Sequence, residues 1–461
     1  MTGARVAVIG GGIAGLSAAW ALTAAGCRVV VYEAGAEWGG KILSGSFAGL
    51  DGIDAGADAF LARVPEAQAL AVELGLGDQL VAPATGSALV VRAGRLHPIP
   101  DGLVLGVPAG LTGLARSRLI SWPGKIRALA DLVLPRTVDH GDSLGGLIRR
   151  RFGDEVAGYL VDPLVGSINA GDADDLSLVA ATPQIAAVVA TSRSVLLGLR
   201  RSSRAAPSGP VFLTPIGGMG VLVDRLVSRL VDAGADLNAG VAVDRLIERE
   251  GGWTLAPQDV HVDAVVIACP ANATSALVRD HSTAAADLLG SIAYAGVVMI
   301  TASVPSEELA GVGACSGYLV PKPEQGHVTA VSFASRKWPH WSNPGHDVLR
   351  ISLGHSANPA PMALADDQLS ALALGEVGGH LGLGRPLRAD DVRITRWPNA
   401  FPQYRPHHPD LVDRIDHLVS GSLPLVVLAG APYRGIGLPA CIRDGQRAAR
   451  LLMKQLTDRP E

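Results

Sequence analysis

The sequence predicts an α/β fold whose first part is a Rossmann-like dinucleotide-binding unit, and three observations in order carry that prediction. The apolar run 6–9 reads as a buried parallel strand and leads into Gly10-Gly11-Gly12-Ile13-Ala14-Gly15, a GxGxxG sequence. A helix over 16–25 follows and is stopped by Gly26. A second apolar strand over 28–32 then ends on Glu33, 18 residues beyond Gly15. Each part has a mechanical task. Gly10 permits the tight turn, Gly12 lets backbone amides approach a pyrophosphate, and Gly15 lets helix and strand pack closely. The helix N-terminus, with Gly11, Ile13 and Ala14 around it, offers partial positive charge to phosphates, and Glu33 accepts hydrogen bonds from a ribose. A lone GxGxxG is weak in a chain with 56 glycines; strand, glycines, helix, strand and acid in sequence is strong.

Composition narrows the rest. The 461 residues are 48% hydrophobic and 18% charged, which excludes a disordered chain or a coiled coil. The net charge of −4, with no basic block, argues against nucleic acid as a partner. Four isolated cysteines (27, 269, 315 and 441) form no CxxC pair and no zinc pattern, so no metal site and no disulfide framework is expected, and a reducing, cytoplasmic setting fits. The 22 uncharged residues 6–27 have membrane-span length, but their patterned glycines and following strand favour the Rossmann reading. No targeting segment is read in the sequence.

Beyond Glu33, the stretch Ala34-Gly35-Ala36-Glu37-Trp38-Gly39-Gly40-Lys41 resembles the second glycine doublet of the flavoprotein family of amine oxidases, phytoene desaturases and protoporphyrinogen oxidases. Ile53-Asp54-Ala55-Gly56-Ala57-Asp58-Ala59-Phe60 resembles the segment that passes the flavin ring in that family. The resemblance implies FAD rather than a nicotinamide cofactor, with Ala34, Gly40, Lys41, Gly56, Ala57, Asp58 and Ala59 beside it. Near the other end, an apolar strand reaches Gly430, a turn carries Ile436-Gly437-Leu438, and a helix begins near 440. These match the family's flavin and ribityl phosphate segment. Mid-chain, 235–246 resembles the strand whose valine meets the adenine; Val243 is assigned, with Val241 as the alternative register.

An FAD domain discontinuous over 1–87, 206–270 and 401–461 follows. Alternating runs at 297–302, 328–333 and 348–353 predict a mixed or antiparallel sheet, giving a substrate domain over 88–103 and 271–400. Residues 104–205 read as an inserted helical domain with a cap near Ser143, and Arg149-Arg150-Arg151 and Arg200-Arg201 read as solvated helix faces.

The resemblance then narrows. Asp162-Pro163-Leu164-Val165-Gly166-Ser167-Ile168-Asn169-Ala170-Gly171-Asp172 before Leu176-Ser177-Leu178 is similar to the helical-domain signature of protoporphyrinogen and coproporphyrinogen oxidases. Trp397 followed by Pro402-Gln403-Tyr404 is similar as well, and Trp397 is placed at the flavin. Two departures stand out. His407 occupies the position of a family glycine, with His408 retained after it. Ala88 falls where protoporphyrinogen oxidases carry a propionate-binding arginine, which points to the coproporphyrinogen branch typical of Gram-positive bacteria.

That branch implies oxygen-dependent, six-electron oxidation of coproporphyrinogen III to coproporphyrin III in heme biosynthesis. Hydride passes to FAD, and dioxygen is the final acceptor, giving hydrogen peroxide. No Ser/His/Asp, Cys/His or paired-carboxylate catalytic set is expected, since the cofactor carries the chemistry. For the substrate, the 166–170 segment, with Gly166, Ser167 and Asn169, is the candidate for pyrrole N–H groups. Arg63, Arg95 and Arg336 are candidates for the propionates. His97, His407 and His408 are expected to be structural. Protoporphyrinogen IX oxidation is the nearest alternative. A flavin amine oxidase or desaturase, with Trp397 and Tyr433 as an aromatic pair, and a non-catalytic flavin carrier stand further off. Peripheral membrane contact through the uncharged 102–115 segment and a porphyrin-accepting enzyme of the heme pathway are possible partners.

Overall fold

The computed structural model describes residues 3–137, 141–204 and 209–458. Its first sheet has five parallel strands in the order Asp236–Ala239, Arg28–Glu33, Arg5–Ile9, Ala264–Ile267, Val426–Leu428. Three distant pieces of chain thus build one cofactor sheet. The pleat explains the apolar strand at 5–9: Val6 and Val8 enter one buried cluster while Ala7 and Ile9 enter the cluster on the opposite face. Helices Ile13–Ala24 and Leu438–Thr457 cover the first face through Leu16, Leu22, Ala448 and Leu452. Helices Ala271–Val278, Thr283–Gly290 and His408–Ser422 cover the other. The 22-residue uncharged stretch is therefore strand, turn and helix. Among the described residues no helix is long and apolar enough to cross a membrane.

The second sheet has seven strands, ordered Asp391–Pro402, Tyr294–Pro305, His346–Leu353, Val328–Phe333, Gly317–Leu319, Leu89–Arg92, Arg95–Pro98. Neighbours are antiparallel except Gly317–Leu319 against Leu89–Arg92, so the sheet is mixed. Helix Asp366–His380 seals one face through Leu369, Ala373 and Val377 against Val298 and Ile300. The opposite face, carrying Val297, Met299, Ala330 and Ser352, is left for cavities. Against the expected divisions, the strand Asp391–Pro402 runs across residue 400, and the helices of 271–290 pack under the cofactor sheet. The 205/206 boundary lies outside the described residues.

The third layer is helical. Ser143 caps Leu144–Phe152 by accepting the Gly146 N–H at 3.1 Å. Leu147, Phe152, Leu160, Ile185 and Leu199 share its core. Ala157–Gly166 is a ten-residue π-helical segment containing Pro163, a widened geometry that recurs at functional sites. Within Arg149-Arg150-Arg151, Arg149 and Arg150 keep 40 and 50% side-chain exposure, as expected, and Arg151 alone departs from the solvated face. Arg151 is buried, bonds Asp131 at 2.6 Å, and donates to the Pro135 and Arg193 carbonyls. Asp131, 20 residues earlier in sequence, is buried with it and also takes Ser194 and the Val195 and Leu196 amides. Arg200 and Arg201 are exposed.

Candidate active site

Where the cofactor sheet meets the second sheet lies a cavity of about 660 Å³, within the size range of cofactor sites. Gly10, Gly12, Ile13, Ala14, Glu33 and Ala34 line one end together with Val241 and Val243. Gly40, Lys41, Gly56, Ala57, Trp397, Gly430, Ile436 and Leu438 also line it, and a Cβ on Gly430 would lie 3.7 Å from the Ala14 Cβ. Both valine registers reach the wall, so the placement does not choose between Val241 and Val243.

The backbone explains why this wall suits a dinucleotide. Gly10 has φ +112°, and a Cβ there would lie 2.8 Å from the Ala268 backbone. A Cβ on Gly15 would sit 1.9 Å from the Gly10 carbonyl oxygen, so helix and strand touch only because that residue is glycine. Glu33 is held by two backbone donors, Gly11 N–H at 2.6 Å and Gly35 N–H at 2.8 Å. Each carboxylate oxygen keeps acceptor capacity for a ribose hydroxyl. Lys41 is the cation in the wall; burial lowers its pKa to about 8, and a bound anion would raise it again. The residues present therefore fit FAD.

Five expected cofactor residues stand off the wall, each for a physical reason. Gly11 faces the Trp38 ring and Glu33, and Gly15 serves packing. Gly437 caps the helix Leu438–Thr457 by backbone only. Ala59 packs with Phe47, Trp338 and Trp341. Asp58 is an anchor: its carboxylate bonds Lys337 at 2.9 Å, the Trp338 indole N–H at 3.1 Å and Arg350 at 3.2 Å. Burial alone would raise its pKa, but Lys337 and Arg350 outweigh burial and hold it well below the usual carboxylate range.

A second cavity of about 230 Å³ adjoins the first, sharing Val297, Met299 and Phe401 with it. Gly166 and Ser167 line it, along with Asp162, Lys322, Gln325 and His355. Asn169 does not; its amide donates to the Val165 carbonyl at 2.8 Å, while its own carbonyl accepts from Gln403 at 3.0 Å. That bond joins the helical signature to Pro402-Gln403-Tyr404. Tyr404 in turn accepts the Gly435 N–H at 2.8 Å and bonds the Ala431 carbonyl, tying the motif to the C-terminal turn.

None of the three arginines expected at propionates lines either cavity. Arg63 and Arg95 are exposed and line neither cavity, Arg95 lying on the outermost strand of the second sheet. Arg336 spends its guanidinium on the Val312 and Leu309 carbonyls at 3.0 and 3.1 Å. Ala88 also lines neither cavity. The cation at the second cavity is Lys322, bonded to Asp172 and 3.4 Å from Asp162. Its only sequence signal is rarity, as one of five lysines. His408 is buried and stacked on Tyr404 at 4.1 Å. His97 lies on the outermost strand, paired with Val90.

The model of flavin containing amine oxidoreductases matches residues 13–453. A coproporphyrinogen III oxidase from Mycobacterium bovis is 33% identical, over 99% of each chain. One from Propionibacterium freudenreichii is 31% identical, over 96% of this chain and 90% of that one. A crystal structure from Exiguobacterium sp. 255-15 superposes with a TM-score of 0.87 at 27% identity, covering 99% of both chains. Putrescine oxidase shares the fold at a TM-score of 0.70 and 17% identity. With a glycine-lined dinucleotide wall and a full-length family match, the chain belongs to the flavin-containing amine oxidoreductase family, alongside bacterial coproporphyrinogen III oxidases, and is an FAD-dependent oxidoreductase.

Proposed function

We propose that the protein oxidises coproporphyrinogen III to coproporphyrin III in heme biosynthesis, with dioxygen as final acceptor and hydrogen peroxide as by-product. The observation that carries the reading is the pair of adjoining cavities, one fitted to FAD and the other roofed by the 162–172 segment, with Val297, Met299 and Phe401 between them. The likeness to coproporphyrinogen III oxidases over nearly the whole chain supports it.

FAD supplies the two-electron acceptor when bound, and six electrons require three such events. The chain's own part is to orient and to exclude water. Val297, Met299 and Phe401 offer an apolar surface for a macrocycle at the junction, and Trp397 is locked in place by donating its indole N–H to the Ala55 carbonyl at 3.1 Å. Gly166 and Ser167 present the segment proposed to meet pyrrole N–H groups. With Arg63, Arg95 and Arg336 away from both cavities, the propionates are left to reach toward the openings.

The amine oxidase alternative needs an aromatic pair at the flavin, and Tyr433 does not furnish one. It is buried, absent from the cavity wall, and hydrogen-bonds to Thr274. Protoporphyrinogen IX remains the substrate to compare. The direct test is porphyrin fluorescence from flavin-loaded protein given coproporphyrinogen III in air. Growth of fluorescence with peroxide formation is expected; bleaching of the flavin by a simple amine, with no porphyrin formed, overturns the reading.

We further infer a peripheral contact with anionic membrane. It shifts from 102–115 to the helix Trp122–Leu129 and the residues after it, where Trp122, Ile126 and Val133 are 72, 69 and 75% exposed. Over 111–137 the sole acid is Asp131, buried against Arg151, whereas Arg116, Arg118 and Lys125 lie in the same stretch. An exposed apolar stripe flanked by cations suits an anionic lipid surface.

A further inference from the structure

The second cavity holds more than a backbone platform. Asp162 lies on the π-helical segment Ala157–Gly166, lines the cavity and is 6% exposed. One of its oxygens accepts the Ala173 N–H at 3.1 Å and stands 3.4 Å from Lys322 Nζ. Lys322 also bonds Asp172, whose side chain is more open to solvent. Two carboxylates on one ammonium leave the cluster net negative. A propionate is repelled by such a group; an N–H donor is drawn to it.

We propose that Asp162 is the residue that takes the pyrrole N–H proton each time a methylene bridge of the substrate is oxidised. This rests on the porphyrinogen reading above. In each round a methylene C–H bond breaks and its electron pair leaves as hydride to the oxidised flavin. The adjacent pyrrole N–H bond breaks, its proton goes to the Asp162 carboxylate, and its electron pair becomes part of the new π system. Dioxygen would reoxidise the flavin, so three rounds deliver three hydrides and three protons; a tautomeric shift of one proton from the fourth methylene to a pyrrole nitrogen then leaves the porphyrin with two N–H groups and four methine bridges. Without an acceptor at the ring the N–H proton is not taken up as the hydride leaves, and the methylene carbon is left as an unstable cation.

The surroundings suit the role. Burial raises the Asp162 pKa and Asp172 adds to that, while Lys322 and the Ala173 N–H oppose them, so the carboxylate is a better base than an exposed one. The titratable groups around it are Lys322, Asp172 and His355, with burial and Lys322 lowering the His355 pKa and so favouring its neutral ring. Lys322 links buried Asp162 to the more open Asp172 and gives the proton a way out between rounds. Removing Asp162 therefore affects proton removal and leaves the FAD wall, which it does not line, intact.

The experiment is anaerobic stopped-flow reduction of the flavin by coproporphyrinogen III, for the wild-type holoenzyme, Asp162→Asn and Asp162→Glu. Flavin content, thermal melting and coproporphyrin binding are measured on the same samples. Asp162→Asn is expected to slow flavin bleaching at least 100-fold while porphyrin binding changes less than threefold. Asp162→Glu is expected to recover at least a tenth of the rate. The wild-type rate rises with pH through one ionisation, and Asp162→Asn loses that rise. Bleaching by Asp162→Asn within threefold of wild type, or a loss in which Asp162→Glu recovers no more than Asp162→Asn, overturns the assignment. Failure of the wild-type protein to bleach with any porphyrinogen overturns the porphyrinogen reading itself, and this one with it.

Discussion

Arg350 and Asp58 meet at 3.2 Å, and the same guanidinium holds the carbonyl oxygen of Gly56. One buried cation thus fixes both ends of the 56–58 segment, of which Gly56 and Ala57 line the FAD cavity. The strand His346–Leu353 of the second sheet thereby shapes the cofactor wall from a distance of almost 300 residues along the chain.

Arg350→Met leaves the Asp58 carboxylate with Lys337 and the Trp338 N–H, and frees the Gly56 carbonyl. Loss of a buried charge partner costs about 3–5 kcal/mol. The variant is expected to melt well below wild type and to lose FAD on dialysis, measured by calorimetry and by the flavin-to-protein absorbance ratio. Because the folded pKa of Asp58 is depressed, the stability it contributes is present above about pH 4, the pKa of an unfolded aspartate, and is lost as pH falls further.

His408 gives a separate acid sensitivity. Burial lowers its pKa to about 4, and Nε2 has no hydrogen-bond partner. The folded state therefore favours the neutral ring. The contribution is complete above about pH 6.5 and is lost as pH falls through 4, amounting to about 3 kcal/mol. Denaturant unfolding from pH 7 to pH 4 is expected to show a steeper loss for wild type than for His408→Gln. Parallel curves contradict the assignment.

His407 is expected at a position of glycine in the resembled pattern, and its φ of +66° is the left-handed conformation that glycine adopts freely. His407→Gly relieves that strain while adding freedom to the unfolded chain. A net gain of up to about 1 kcal/mol is expected, with turnover unchanged. Destabilisation shows that ring contact with Gly141 outweighs the backbone cost.

The exposed stripe at Trp122, Ile126 and Val133 predicts co-sedimentation with phosphatidylglycerol vesicles that weakens as salt is raised. Trp122→Ser with Ile126→Ser is expected to lower vesicle binding at least tenfold with no loss of turnover on soluble substrate. Equal binding by the double variant, or equal binding to neutral phosphatidylcholine vesicles, contradicts the contact.

The Rossmann unit was legible because its signals are local: Gly10, Gly12, Gly15 and Glu33 act through backbone geometry within one strand–helix–strand unit. The seven-stranded mixed sheet was legible from alternation in its longer strands. Long-range pairing hid the rest. Asp58 reads like a cofactor ligand beside Gly56, yet its partners Lys337 and Arg350 lie far along the chain. Lys322 and Asp162 are 160 residues apart, and only the fold sets them on one cavity. Arg336 looked available in sequence, but its donors are taken by the 309–312 carbonyls. Arg151 looked solvated for the same reason, since nothing in an arginine run reveals a buried Asp131.

The measurement that reaches the central claim most directly is kcat/KM for coproporphyrinogen III and protoporphyrinogen IX, side by side on flavin-loaded protein. The account predicts a preference for coproporphyrinogen of at least tenfold, equal to about 1.4 kcal/mol of transition-state binding. A preference for protoporphyrinogen would contradict the four-propionate assignment, and turnover of neither would contradict the porphyrinogen reading as a whole.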